Sequence, residues 1–210
     1  MEFFGRFNSM KHHVATLLLC LPLIALAEEP STPEPRRLEG VLSIGYVYGG
    51  DTLPDTTVAT NGVASIRAGS GILVSGGGTW KISPKLGLQG TIGYQFHGVN
   101  HSSGTAYVKR YPLEIVPFFY PSEKLRVGAG WRHNFNIEYD ARYNQSGSID
   151  FGSSDGLVVQ VGYQYQPDIW FHLRYVKEKF SSAEYIYNDA QYTQPAIDGS
   201  NIGFTLSHTF

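Results

Sequence analysis

From Leu38 onward, apolar and polar side chains alternate one for one along most of the chain. Strand side chains point alternately to opposite faces, so a period of two predicts strands with one greasy and one polar face. The clearest stretch sets Leu86, Leu88, Gly90, Ile92, Tyr94 and Phe96 against Gly87, Gln89, Thr91, Gly93, Gln95 and His97. The final stretch sets Ile202, Phe204, Leu206, His208 and Phe210 against Asn201, Gly203, Thr205, Ser207 and Thr209. Six further segments follow the rule, with apolar faces centred on Leu42–Tyr48, Ile72–Trp80, Tyr111–Phe119, Val127–Trp131, Leu157–Tyr165 and Ile169–Tyr175.

The connections alternate too. Lys81–Lys85, Tyr120–Lys124 and Gln166–Asp168 read as tight, proline-bearing turns. Gly49–Ile66, Gly98–Thr105, Ile137–Asp155 and Ser181–Asp198 read as longer polar loops. Short turns at one end and long loops at the other are the topology of a membrane-spanning up-and-down barrel. Eight strands put both ends of the barrel segment on the short-turn side, which would be the periplasm. A soluble β-sandwich or lipocalin-like barrel is the competing reading. Two features oppose it: the polar face mixes glycines with long charged residues, as a narrow lumen requires, and rings cluster near segment ends. Tyr46, Tyr48, Trp80, Phe96, Phe119, Trp131, Tyr165 and Tyr175 then form two interfacial aromatic girdles.

Composition narrows the class. Only 16% of residues are charged and 42% are hydrophobic, against ~25% charged in an ordinary soluble domain. The formal charge of -2 and the lack of a basic block exclude a nucleic-acid partner. After residue 27 no apolar run approaches the ~20 residues of a membrane helix. Before it, Lys11-His12-His13, the apolar run Val14–Ala27 and then Glu28-Glu29 make a secretory signal peptide with expected cleavage after Ala27. Residues 28–37, with Pro30, Pro33 and Pro35, read as a flexible lead-in to the barrel domain at 38–210. Cys20 lies in the signal, so the exported chain has no disulfide to hold it.

The ending Phe204-Thr205-Leu206-Ser207-His208-Thr209-Phe210 resembles the terminal strand of Gram-negative outer-membrane proteins. Residues 38–210 as a whole resemble the small eight-stranded OmpA-like and OmpX-like barrels. The resemblance implies an all-β, eight-stranded antiparallel transmembrane barrel in the cell outer membrane. It implies outer-membrane lipid and lipopolysaccharide as surroundings, and Phe210 as the signal read by the barrel-assembly machinery. A monomer is expected.

An eight-stranded barrel encloses a space that side chains just fill. Inward candidates include Arg67, Gln89, Gln95, Arg110, Glu114, Arg126, Arg132, Gln160, His172, Arg174 and Glu178. Buried charges must be paired, which predicts a network centred on Glu114 with Arg110, Arg132 or Arg174. A simple hairpin register around Tyr120–Lys124 sets Glu114 opposite Gly130 and diagonal to Arg132. Such a network is either a self-satisfied polar core, the favoured reading, or a gate.

Catalytic chemistry has weak candidates. His101 and Ser103 repeat the His-x-Ser spacing of some lipid A deacylases, which are small barrels of similar length, but they fall on a loop tip. His133 forms a loose cluster with Glu138 and Asp140, and His208 sits in the inner girdle. Metal-ligand spacing is missing, and no cofactor is expected. Tyr139, Tyr143, Tyr185, Tyr187 and Tyr192 would serve as a ligand-contact surface or as barrel wall beyond the membrane. The expectation is a non-enzymatic outer-membrane barrel with a structural or surface-interaction role, possible ligands being extracellular and met at the loops. The alternatives are a deacylase-like lipid A enzyme and a small-solute channel.

Overall fold

A computed structural model describes residues 37–53, 66–101, 104–142, 146–187 and 190–210. Residues 1–36, which carry the expected signal peptide and nearly all of the lead-in, lie outside that set, as do Ser103 and Tyr143.

Eight long strands form the wall: β1 (Arg37–Tyr48), β2 (Gly71–Ser83), β3 (Leu86–His101), β4 (Gly104–Ser122), β5 (Leu125–Arg142), β7 (Ser154–Gln166), β8 (Ile169–Phe180) and β12 (Asn201–Thr209). Four short ones, β6 (Ser146–Asp150), β9 (Ala183–Tyr187), β10 (Ala190–Gln194) and β11 (Ile197–Asp198), belong to the outer connections. Each wall strand pairs antiparallel with its neighbour, and β12 pairs with both β8 and β1, so the sheet closes on itself. Closure leaves no bare strand edge, the condition for putting a sheet in hydrocarbon.

The exposed stripe runs as the alternation predicts. Leu42, Ile44, Tyr46 and Tyr48 on β1, Ile92, Tyr94 and Phe96 on β3, and Phe171, Leu173 and Tyr175 on β8 all face outward. Their odd and even partners face the lumen.

At the outer end the loops are shorter than the alternation alone indicates. The expected loops at 98–105 and 137–155 are largely strand, because β3 runs to His101, β4 starts at Gly104 and β5 reaches Arg142. The cause is an inversion of polarity. In β5, Phe135 and Asn136 are both exposed, Asn136 has φ 46°, and the β4 register slips there, a one-residue bulge. Above the bulge, Ile137, Tyr139 and Ala141 point inward and are buried. They meet Ala106 and Val108 of β4, Leu53, Ile66 and Ala68 of the first loop, Ile149, Phe151, Phe180, Ala183 and Ile197 in one apolar cluster. Outside, Lys109 bonds Glu138 at 2.8 Å and Arg142 bonds Asp140 at 3.0 Å. Below the bulge the wall is built for lipid outside and polar groups within; above it, for water outside and an apolar core. Tyr139 is therefore part of that core and not a loop contact residue.

Candidate functional site: the barrel interior

The lumen is filled in three layers. Nearest the short turns, Phe118, Tyr120 and Trp170 pack around Arg126 and His172. Arg126 Nε donates to His172 Nε2 at 3.0 Å. The guanidinium lies 4.4 Å from the Phe118 ring centre and 4.3 Å from that of Trp170. His172 must then accept at Nε2 and carry its proton on Nδ1, which lies 3.4 Å from both Thr205 Oγ1 and Ser207 Oγ. Among the described residues no carboxylate forms a salt bridge with Arg126; the electron-rich ring faces supply its electrostatic partner. Gly162 makes this layer possible, because a Cβ there would sit 2.6 Å from His172 Cδ2 and 2.9 Å from Arg126 Cγ.

The middle layer is an ion network of two carboxylates and three arginines. Glu114 bonds Arg174 and lies 3.4 Å from Arg132 Nη1. Glu178 lies 3.3 Å from Arg110 Nη1 and 3.6 Å from Arg132 Nε. Asn134 Nδ2 donates to Glu178 Oε2 at 2.5 Å, and Arg132 Nη2 donates to Gln95 Oε1 at 2.7 Å. All of these side chains are buried. Paired this way, charges tolerate removal from water, though such networks specify geometry more than they add stability.

The top of this layer reaches into the first outer loop. Arg110 donates to the Ala68 and Gly69 carbonyls at 2.9 and 3.2 Å, and Gln95 Nε2 to the Gly69 carbonyl at 3.0 Å. Those bonds hold the loop down in the mouth, under the apolar cluster that forms the third layer.

The structure thus brings Arg110, Glu114, Arg132, Arg174 and Glu178 together and sets Arg126 and His172 apart in a separate, aromatic layer. Glu114 stands directly opposite Arg132, not Gly130. The β4–β5 turn needs only Glu123 and Lys124, and a bulge between Phe119 and Ser122 shifts the register. Arg67 leaves the lumen: its guanidinium stacks 5.3 Å from the ring centre of outward-facing Tyr48 and donates to the Gly50 carbonyl at 3.0 Å. Asn134, Phe118 and Trp170 also shape the site. Their signal was parity alone, since each continues the inward face of Arg132, Glu114 or His172.

His101 is the last residue of β3, at the tip of the β3–β4 hairpin, and Ser103 lies outside the described residues. His133 is not clustered with Glu138 or Asp140, whose carboxylates are held by Lys109 and Arg142. On the outer wall, His133 Nδ1 and Trp131 Nε1 both donate to Asp155 Oδ1, each at 2.9 Å. His208 faces outward near the inner turns, 2.9 Å from Asp168 and stacked on Phe210. Among the described residues no cluster of metal-ligating side chains occurs.

No protein-family model matches the chain, and no curated protein matches it in sequence. Solved structures do match in shape. Neisserial surface protein A superposes with a TM-score of 0.52 at 8% identity, covering 84% of this chain and 100% of that one. The outer membrane protein OprG from Pseudomonas aeruginosa superposes with a TM-score of 0.51 at 15% identity, covering 83% of this chain and 97% of that one. The chain has the fold of the small eight-stranded outer-membrane β-barrels.

Proposed function

We propose that this chain is an integral outer-membrane protein with a structural or surface-interaction role, displayed through its outer loops and without a catalytic centre. Residues 1–27 direct its export. The strand ending in Phe210 is read by the barrel-assembly machinery, and lipopolysaccharide surrounds the folded wall of a monomer. One observation supports the reading most: the lumen is packed through three layers, from Trp170 up to the apolar cluster that includes Phe180. A packed lumen favours a wall-and-loops protein over a conduit, because moving solute would require breaking buried ion pairs and an apolar cap together.

The test uses the purified folded barrel in two assays. In planar bilayers it should give no steady conductance. Incubated with lipopolysaccharide, it should leave the acyl composition of lipid A unchanged by mass. Regular single-channel events would overturn the first half of the reading, and loss or gain of an acyl chain the second.

A further inference from the structure

The outer wall carries a groove that the packed interior does not explain. It lies across β5, β7 and β8 as an open depression of about 760 Å³, with Trp131, Leu157 and Tyr175 among its lining. Its polar side brings in Asp155, Lys177, Lys179 and Asp198.

Its height follows from the strands. Going up β8, the outward side chains are Phe171, Leu173 and Tyr175, then Lys177 and Lys179; going up β7, they end at Leu157 and then Asp155. Nine residues separate Asp168 in the inner turn from Lys177, about 30 Å of strand. At a tilt of about 40° this is about 23 Å of height, the thickness of the apolar band of such barrels. Lys177 and Asp155 are thus the first charges above the hydrocarbon, at the level of the outer-leaflet headgroups.

The groove is also preorganised. Asp155 accepts from Trp131 and His133 together, which fixes the indole while leaving it 44% exposed. Asp198 stands cross-strand from Lys179, and its Oδ1 accepts from the Ser200 amide at 2.9 Å. At this end of the wall Lys109 and Arg142 are in salt bridges with Glu138 and Asp140, and Arg67 stacks on Tyr48. Lys177 and Lys179 are in no salt bridge among the described residues. These two ammonium groups, free of salt bridges and both attracted to the Asp198 carboxylate, suit a phosphate. Exposed aromatic side chains suit the apolar face of a sugar ring, and carboxylates suit its hydroxyls.

We propose that this groove binds the phosphorylated hexosamine headgroup of an outer-leaflet glycolipid. The phosphate sits on Lys177 and Lys179, a sugar ring lies against Trp131 and Tyr175, and Asp155 and Asp198 take hydroxyl protons. The acyl chains run down over Leu157 and Val159. This site rests on the membrane orientation proposed above.

The probe is bisphosphorylated lipid A, titrated onto the folded barrel in detergent micelles and counted by native mass spectrometry. Parallel arms use the same lipid with its phosphates removed, and phosphatidylglycerol. Removing the phosphates should weaken binding about tenfold or more, as should the pair Lys177→Gln with Lys179→Gln. The double variant should also lose its preference for the phosphorylated lipid. The charge-matched control pair Lys109→Gln with Arg142→Gln should bind as the parent does, and heat-modifiable mobility on gels checks that each variant is folded. The proposal is overturned if the double variant binds like the parent, if the control pair loses as much, or if phosphatidylglycerol binds equally well. Quenching of Trp131 by brominated acyl chains separates the two failures. Without quenching the orientation itself is wrong; with quenching but indifferent lysines, only the headgroup site is.

Discussion

Removing the Glu114 carboxylate is the sharpest perturbation of the interior. Glu114→Ala leaves Arg132 and Arg174 sharing the middle layer with Arg110 and a single carboxylate, Glu178. At the 3.4 Å separation from Arg132, Coulomb attraction at an effective dielectric of about 20 is about 5 kcal/mol before desolvation. Because both ions were already desolvated on folding, most of that loss is not recovered, and breaking a buried pair by deleting one partner costs about 3–5 kcal/mol. Glu114→Gln keeps the shape and one acceptor, so it should lose roughly half as much. Urea unfolding of the barrel in lipid vesicles, followed by tryptophan emission, measures the difference. Adding Arg174→Ala to Glu114→Ala should restore part of the loss, because it removes a charge left unpaired. A loss below about 1 kcal/mol for Glu114→Ala would refute a structural network. Unchanged stability together with new steady conductance would identify Glu114 as a gate instead.

The remaining expectations test other layers. Of the three tryptophans, Trp80 and Trp131 are 38% and 44% exposed and Trp170 only 5%. Single-tryptophan variants in brominated lipid should therefore be quenched at the first two positions and spared at the third; the reverse order would invert the barrel. Gly162→Val should destabilise by about 1–3 kcal/mol in the same unfolding assay, since its side chain would collide with His172 and Arg126. Phe180→Ala should cost about 3–5 kcal/mol, because Phe180 is fully buried in the cap against Phe151 and Arg110. At the outer loops, the Ser200 hydrogen bonds hold the Asp198 carboxyl below the ordinary aspartate value of 3.8. Its contribution is present above that value and is lost as pH falls through the lowered one. The Ser200 amide resonance should move with a midpoint below 3.8 and stop titrating in Asp198→Asn; a midpoint at or above 3.8 would contradict the hydrogen bonds.

What was legible in the sequence was what depends on parity. Leu88, Ile92 and Tyr94 facing lipid, and Gln89, Thr91 and Gln95 facing the lumen, follow from a period of two and need no knowledge of neighbours. The inward arginines were legible for the same reason. Pairing was not. Glu114 meets Arg132 because a two-residue turn and a bulge set the register, and neither leaves a clear mark in residues 119–125. Arg126 is stabilised by Trp170, forty-four positions later and across the lumen, a contact that only barrel closure creates. The outer strands do not show in an apolar-outside alternation, because Asn136 exchanges the faces of β5 just where water replaces lipid. Likewise His133 met Asp155 on β7 and not the acidic residues nearest in sequence.

Closure through β12 has a consequence for how the molecule comes into being. That strand, nine residues long, supplies hydrogen bonds on both flanks, to β8 and to β1. Without it the sheet would present two open seams to oil, each a row of unsatisfied amides. Loss of those few residues would therefore not yield a looser version of the same object. It would leave an open sheet whose two bare edges hydrocarbon cannot satisfy, so a finished wall stable in a bilayer depends on the tail.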